Sequence, residues 1–255
     1  MIIPPPVPDG ATLGVVAPAD EMNAAADVTI ANLRSRTATL SIENAGVRDG
    51  RIVADIAVEN ATGHKLPTGY PSRRVWLHVT VRDRAGAVIF ESGAVAANGA
   101  ISGNDHDADA LRVEPHYTEI GEPGQVQIYE SVMRDQAGRP TTGLLTAVGY
   151  AKDNRLLPRG FQKTTADPWI AVVGTASQDA DFSGAGDRVR YGIDVRNAEG
   201  PFAIDAELRY QVIGFRWAEN LRAYQSEQTR RFVGYYESMA PSSSEVLAHA
   251  QVVVP

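Results

Sequence analysis

Apolar and polar residues alternate through most of the chain. Ala38, Leu40 and Ile42 are spaced by polar partners, and Ile52, Ala54, Ile56 and Val58 keep the same two-residue period. Val75, Leu77, Val79 and Val81 follow, then a turn from Asp83 to Gly86, then Ala87 to Ser92. Period two marks a strand with one face on a core, and two such runs around a short Asp/Gly turn predict a hairpin. Further strands are expected at 125–132, 143–151 and 169–176. They are also expected through Val189, Tyr191, Ile193 and Val195, through Ile204, Ala206, Leu208, Tyr210 and Val212, and at 245–254.

Two stretches switch to helical spacing. In 20–36, Asp20 stands as a cap, Met22, Ala25, Ala26, Ile30 and Leu33 make a stripe, and Arg34 and Arg36 suit the C-terminal end. In 217–237, Trp217, Leu221, Tyr224, Phe232 and Tyr235 fall near one face before Pro241. About ten strands with short turns and two helices predict a mainly-β fold. The expected form is an antiparallel β-sandwich with an N-terminal and a C-terminal helix packed on it. Residues 1–19, rich in Pro, Gly and Ala, read as a linker or the edge of something longer, 20–36 as the helix and 37–255 as the sandwich, with a subdivision possible near 110–124.

Composition narrows the chemistry. The chain has 255 residues, a formal net charge of −7 and no cysteine. Without cysteine there is no disulfide, no thiolate zinc site, no cysteine nucleophile and no covalent c-type haem attachment on this chain. The acidic balance, with no long Lys/Arg run, argues against nucleic acid, whose phosphates call for a concentrated basic surface. No run of about 18 apolar residues occurs, so no membrane-crossing helix is expected. The N-terminus lacks the basic start of a signal peptide. No G-x-S-x-G, H-E-x-x-H, Walker A loop or dinucleotide-binding glycine pattern is present.

The loop between the second and third strands stands out. Thr62, Gly63, His64, Pro67, Thr68, Gly69 and Pro71 precede Arg73 and Arg74. Glycines and prolines give such a loop a constrained shape, and a rigid loop presenting one imidazole suits an axial metal ligand. The alternative is a turn histidine bonded to backbone. Arg73, Arg74, Arg155 and Arg159 are candidates for gripping carboxylates, haem propionates included, or for ordinary pairing with this chain's acidic residues. Asn104, Asp105, Asp107 and Asp109 alternate, and Asp179, Asp181 and Asp187 surround Gly184 and Gly186. Both clusters read as calcium loops or as solvated acidic turns, and neither has EF-hand spacing. His106 and His116 are metal candidates or satisfied loop histidines, and His78 and His249 read as structural. Trp76, Trp169, Trp217, Tyr129, Tyr150 and Tyr191 would line a sugar-binding surface or pack in the core.

Asn60 to Val79, N-A-T-G-H-K-L-P-T-G-Y-P-S-R-R-V-W-L-H-V, resembles the C-terminal, non-haem part of a family of bacterial multihaem c-type cytochromes. Pro115 to Tyr117, Gln125 to Glu130, Lys152 to Phe161, Asp179 to Tyr191 and Tyr210 to Leu221 match in the same order, so the resemblance covers roughly residues 20–250. It implies a non-catalytic β-rich module that covers haems held elsewhere, in the periplasm or at the cell surface. It also implies a distal-ligand role for His64. Since this chain has no haem-binding cysteine, the haem would come from another segment or subunit. The competing expectation is a free-standing β-sandwich that binds glycan or a partner protein.

Overall fold

The computed structural model describes residues 18–255. The expected linker at 1–19 lies outside them, apart from Pro18 and Ala19. Helix α1 spans Ala19–Arg36, with Asp20 and Glu21 in its first turn and Arg34 and Arg36 in its last, each sign facing the dipole end that favours it. Pro18, not Asp20, occupies the cap position, and no residue of the helix is buried. Of the expected stripe, Ala26, Ile30 and Leu33 are half-covered while Met22 is 50% exposed. The helix therefore leans on the sheet only through its second half. Leu33 packs against the core, and Arg34 pairs with Glu245 at 2.8 Å.

The strands are β1 Ala38–Arg48, β2 Arg51–Asn60, β3 Arg74–Arg82, β4 Val88–Ser92, β5 Glu119–Ile120, β6 Ile128–Arg134, β7 Pro140–Thr141, β8 Gly149–Asp153, β9 Gly186–Asp194, β10 Phe202–Gln211 and β11 Ser244–Val254. One sheet has the order β1-β2-β9-β5, and the other has β11-β10-β3-β6-β7, with β4 added to β3 and β8 to β6. Pairing is antiparallel, except that β5 runs parallel to β9. Asp49 and Gly50, both at positive φ, make the two-residue hairpin turn between β1 and β2.

The alternating residues do what their period predicts. Ile52, Ile56 and Val58 of one sheet and Val75, Leu77, Val79, Ile204 and Leu208 of the other are buried in a single apolar cluster. Trp76 faces the opposite way and joins Ile101, Val126 and Ile128 in a smaller cluster under the crossing stretch after β4. The short helix α2, Asp105–Ala108, lies in that stretch.

Three expected elements come out differently. Of 143–151, only 149–151 is strand. Residues 143–148 form a turn, with Gly143 N bonded to Thr141 Oγ1 and Thr146 Oγ1 bonded to the Gly143 carbonyl, which leaves Leu144 and Leu145 exposed. Residues 169–174 are loop joined to β8 by one bridge, Asp153 to Val173, and Thr175–Ser177 is a 3-10 turn. The C-terminal helix is two, α3 Phe215–Leu221 and α4 Glu227–Met239, and Ser226 caps the second by accepting from Thr229 N. No helix of the described residues is long and apolar enough to cross a membrane.

Candidate functional site

The His64 loop is held from below. Asn60, the last residue of β2, is 2% exposed, and its side chain works in three directions. Its Nδ2 donates to the carbonyls of His64 (2.8 Å) and Leu156 (3.1 Å), and its Oδ1 accepts from Thr62 N (2.9 Å). Leu66 and Leu156 exchange backbone hydrogen bonds at 2.9 and 2.8 Å, which seats the loop on the 153–161 segment. Under that segment lies Asp153, fully buried. It receives Lys65 Nζ at 2.9 Å and a two-pronged Arg155 guanidinium at 2.9 and 2.7 Å. Burial pulls the Lys65 ammonium below its usual range, with Asp153 opposing. Two cations on one buried carboxylate make a strong local clamp.

His64 points outward from this frame and is exposed. Its Nδ1 lies 3.0 Å from the carbonyl oxygen of Lys65. A carbonyl only accepts, so Nδ1 carries the ring proton and Nε2 carries the lone pair. That Nε2 has no hydrogen-bond partner among the described residues. The inner nitrogen is thus tied to a carbonyl and the outer one is unpartnered, the state in which an imidazole has a lone pair to offer.

The candidate arginines divide. Arg73 braces the loop by donating to the Thr68 carbonyl at 2.8 Å. Arg159 is exposed and 3.9 Å from Glu59. Arg155 is committed to Asp153. Arg74 is turned inward, 3% exposed, where it pairs with Asp107, Gln211 and the Gly99 carbonyl, so it is not available to a surface ligand.

The first acidic cluster does not converge. Asp105 pairs with Arg112, Asp107 with Arg74, and Asp109 accepts from Leu111 N. Its neighbour His106 is buried, with Nδ1 on the Arg112 carbonyl. The second cluster converges in part. Asp181 stays exposed, while Asp179 and Asp187 meet His116, with ligand-type atoms within 4.8 Å of one another. Here the hydrogen bonds decide the chemistry. Nδ1 of His116 faces Gln127 Nε2 at 2.8 Å and Asn154 Nδ2 at 3.0 Å. Both amides are oriented by backbone donors, since Gln127 Oε1 accepts from Tyr117 N and Asn154 Oδ1 from Glu130 N. Nδ1 must therefore accept, and the proton sits on Nε2, donated to Asp179 at 3.0 Å. A histidine that binds metal through Nε2 normally donates from Nδ1. His116 faces two donors there, so its Nε2 has no lone pair to give a metal.

Asp187 is satisfied by Tyr129 Oη (2.8 Å), Gln127 Nε2 (2.9 Å) and Arg188 N (2.8 Å). Burial holds the His116 imidazole below the usual histidine range, against the pull of Asp187 and Asp179, and burial pushes the Asp187 carboxyl up. The carbonyls of the same loop are also taken. Lys163 Nζ donates to those of Ala176 (3.2 Å), Phe182 (2.9 Å) and Asp179. The loop expected to wrap calcium thus wraps an ammonium from within the chain. Nothing in the sequence assigned a role to Lys163, Gln127, Asn154 or Asp153, and two of the groups they hold lie far along the chain, His116 from Asn154 and Lys65 from Asp153. Asn60 carried one signal, an Asx residue two before a backbone donor at a strand end.

The aromatics scatter. Trp76, Tyr129 and Tyr191 are buried, Trp217 packs against Tyr70 in a tilted pair with ring centroids 5.1 Å apart, and Trp169 alone of the tryptophans is largely exposed.

No protein-family model matches the chain, and no curated protein does. Among solved structures, it is similar to a penta-heme cytochrome c552 from Thermochromatium tepidum, with a TM-score of 0.52 and 15% sequence identity. The match covers 88% of this chain and 41% of that one. At this identity the likeness is one of fold, and it relates the sandwich to part of a multihaem cytochrome.

Proposed function

We propose that this chain is a non-catalytic module of an electron-transfer multihaem cytochrome, covering a haem held by another segment or subunit and offering His64 as its distal ligand. The observation that carries this reading is the state of His64, with Nδ1–H on the Lys65 carbonyl and a bare, outward Nε2. The fold likeness to a multihaem cytochrome supports it. Haem, when bound, supplies the redox centre. The chain's own part is to position one imidazole, to exclude water, and through both to tune the potential. Arg159, exposed and loosely paired, is the cation best placed to meet a propionate. On this reading the module works in the periplasm or at the cell surface.

The test uses an acetylated haem c peptide that has one histidine ligand and an open sixth position. Titrating the protein into it should convert the high-spin spectrum to that of a low-spin bis-histidine haem, and His64→Ala should abolish the conversion. A spectrum that stays high-spin with the wild type, or converts equally with His64→Ala, would overturn the ligand role.

A further inference from the structure

Two backbone bridges and the Lys65 ammonium link the His64 loop to a second exposed feature. Leu66 bridges Leu156, and Asp153 bridges Val173, so segments 64–67, 153–157 and 170–173 run side by side. Lys65 Nζ ties the first to the third, lying 2.9 Å from Asp153 and 3.5 Å from the Ala171 carbonyl. Immediately before Ala171 stand Trp169 and Ile170, 82% and 52% exposed. They sit on a formed turn, since Trp169 N donates to Asp167 Oδ1 at 2.9 Å and Ile170 N to the Asp167 carbonyl at 2.9 Å.

A tryptophan left in water forgoes the burial of a large apolar surface, and single exposed apolar residues usually mean little. Here two adjacent ones are presented by a hydrogen-bonded turn, just before the Ala171 carbonyl that Lys65, the residue after His64, reaches with its Nζ. Arg159 pairs with Glu59 near the end of the strand that leads into the His64 loop. A haem edge offers a flat apolar ring, an iron and two carboxylates, and these three neighbouring features match that set.

We propose that Trp169 and Ile170 form the apolar contact of the haem-bearing partner, seating the porphyrin edge while His64 takes the iron. This rests on the reading of His64 as a haem ligand. Of the aromatics expected to line a sugar surface, Trp76, Tyr129 and Tyr191 are buried and Trp217 packs on Tyr70, which leaves Trp169 without a row.

The same haem c peptide separates the two ideas, because the low-spin spectrum reports ligation and the midpoint of the titration reports affinity. Trp169→Ser should weaken association by about tenfold, a loss of about 1.4 kcal/mol, and still reach the full low-spin spectrum at saturation. Ile170→Ser should weaken it less, and Trp169→Phe should restore most of the affinity. Circular dichroism should show each variant folded, since both side chains lie outside the core. If Trp169→Ser binds as tightly as the wild type, or Trp169→Phe fails to restore what Ser removes, the apolar contact is wrong and the ligand role stands. If the wild type forms no low-spin species, the ligand reading and the contact built on it fall together.

Discussion

His64 and His116 carry the same side chain into opposite circumstances, and the difference lies in what each ring's Nδ1 meets. At His64 it meets a carbonyl, so the proton is held on the inner nitrogen and the outer one is bare. At His116 it meets two amide donors, so the proton is forced onto Nε2 and spent on Asp179. Burial alone would have pointed the other way. The cluster of His116, Asp179 and Asp187 has the convergence of a metal site, and the exposed His64 has one ligand atom to offer. The tautomer decides which of them can donate a lone pair.

The largest expected effect comes from breaking the inner site. His116→Ala leaves Asp179 without its donor and two amides without their acceptor. Each buried polar group left unsatisfied costs about 1–3 kcal/mol, so with three groups affected the variant should lose more than about 3 kcal/mol, read from urea unfolding. His64→Ala should change the same curve by no more than about 0.5 kcal/mol, as for a surface substitution. Comparable losses at the two positions would erase the contrast.

The frame beneath His64 comes next. Asp153→Ala strips Lys65 and Arg155 of their shared partner and should cost about 1.5–3 kcal/mol, the range for hydrogen bonds to charged groups. It should also raise amide exchange through 62–67, which follows local opening. An unchanged exchange rate there would show that the loop does not depend on this clamp.

A smaller, pH-dependent effect sharpens the comparison. The His116 imidazole is harder to protonate folded than unfolded, because it is buried. The unfolded chain therefore takes up more protons, so this contribution is complete above the unfolded histidine value of about 6.5 and is lost as pH falls below it. His106, also lowered by burial, adds in the same direction. Asp187, raised by burial, acts with the opposite sign, its contribution present at low pH and lost as pH rises from the unfolded Asp value through its folded value. The urea midpoint should fall between pH 7.5 and 5.5, and His116→Asn should flatten that fall. An equal slope in the variant would remove His116 from the titration.

The smallest expected effect is at the acidic loop. Lys163 already fills the carbonyls of Ala176, Asp179 and Phe182. A calcium chelator should leave the thermal midpoint where it is, and a drop would mean that a cation holds this loop after all.

The sheets were legible because alternation is a local property. Ile52 to Val58 and Ile204 to Leu208 declare their buried face within a few residues. Segments 143–148 and 169–176 are equally apolar but find no strand to pair along their length, and pairing is not written in the segment itself. At the site, His64 and its Gly/Pro frame stood out as a rigid loop. The partners that decide the chemistry did not, because Asn154 is 38 residues from His116 and Asp153 is 88 from Lys65. Arg74 and Arg73 are adjacent in sequence, yet one is buried against Asp107 and the other braces the loop at the surface. Strand alternation explains that split only once the strand's start is known.

The most direct test of this contrast is the position of the ring protons, read by long-range proton–nitrogen NMR at a pH where both imidazoles are neutral. The predicted spectrum has His64 as the Nδ1–H tautomer with a bare Nε2, and His116 as the Nε2–H tautomer with an accepting Nδ1. A proton on Nε2 of His64, or on Nδ1 of His116, would contradict the account at its centre.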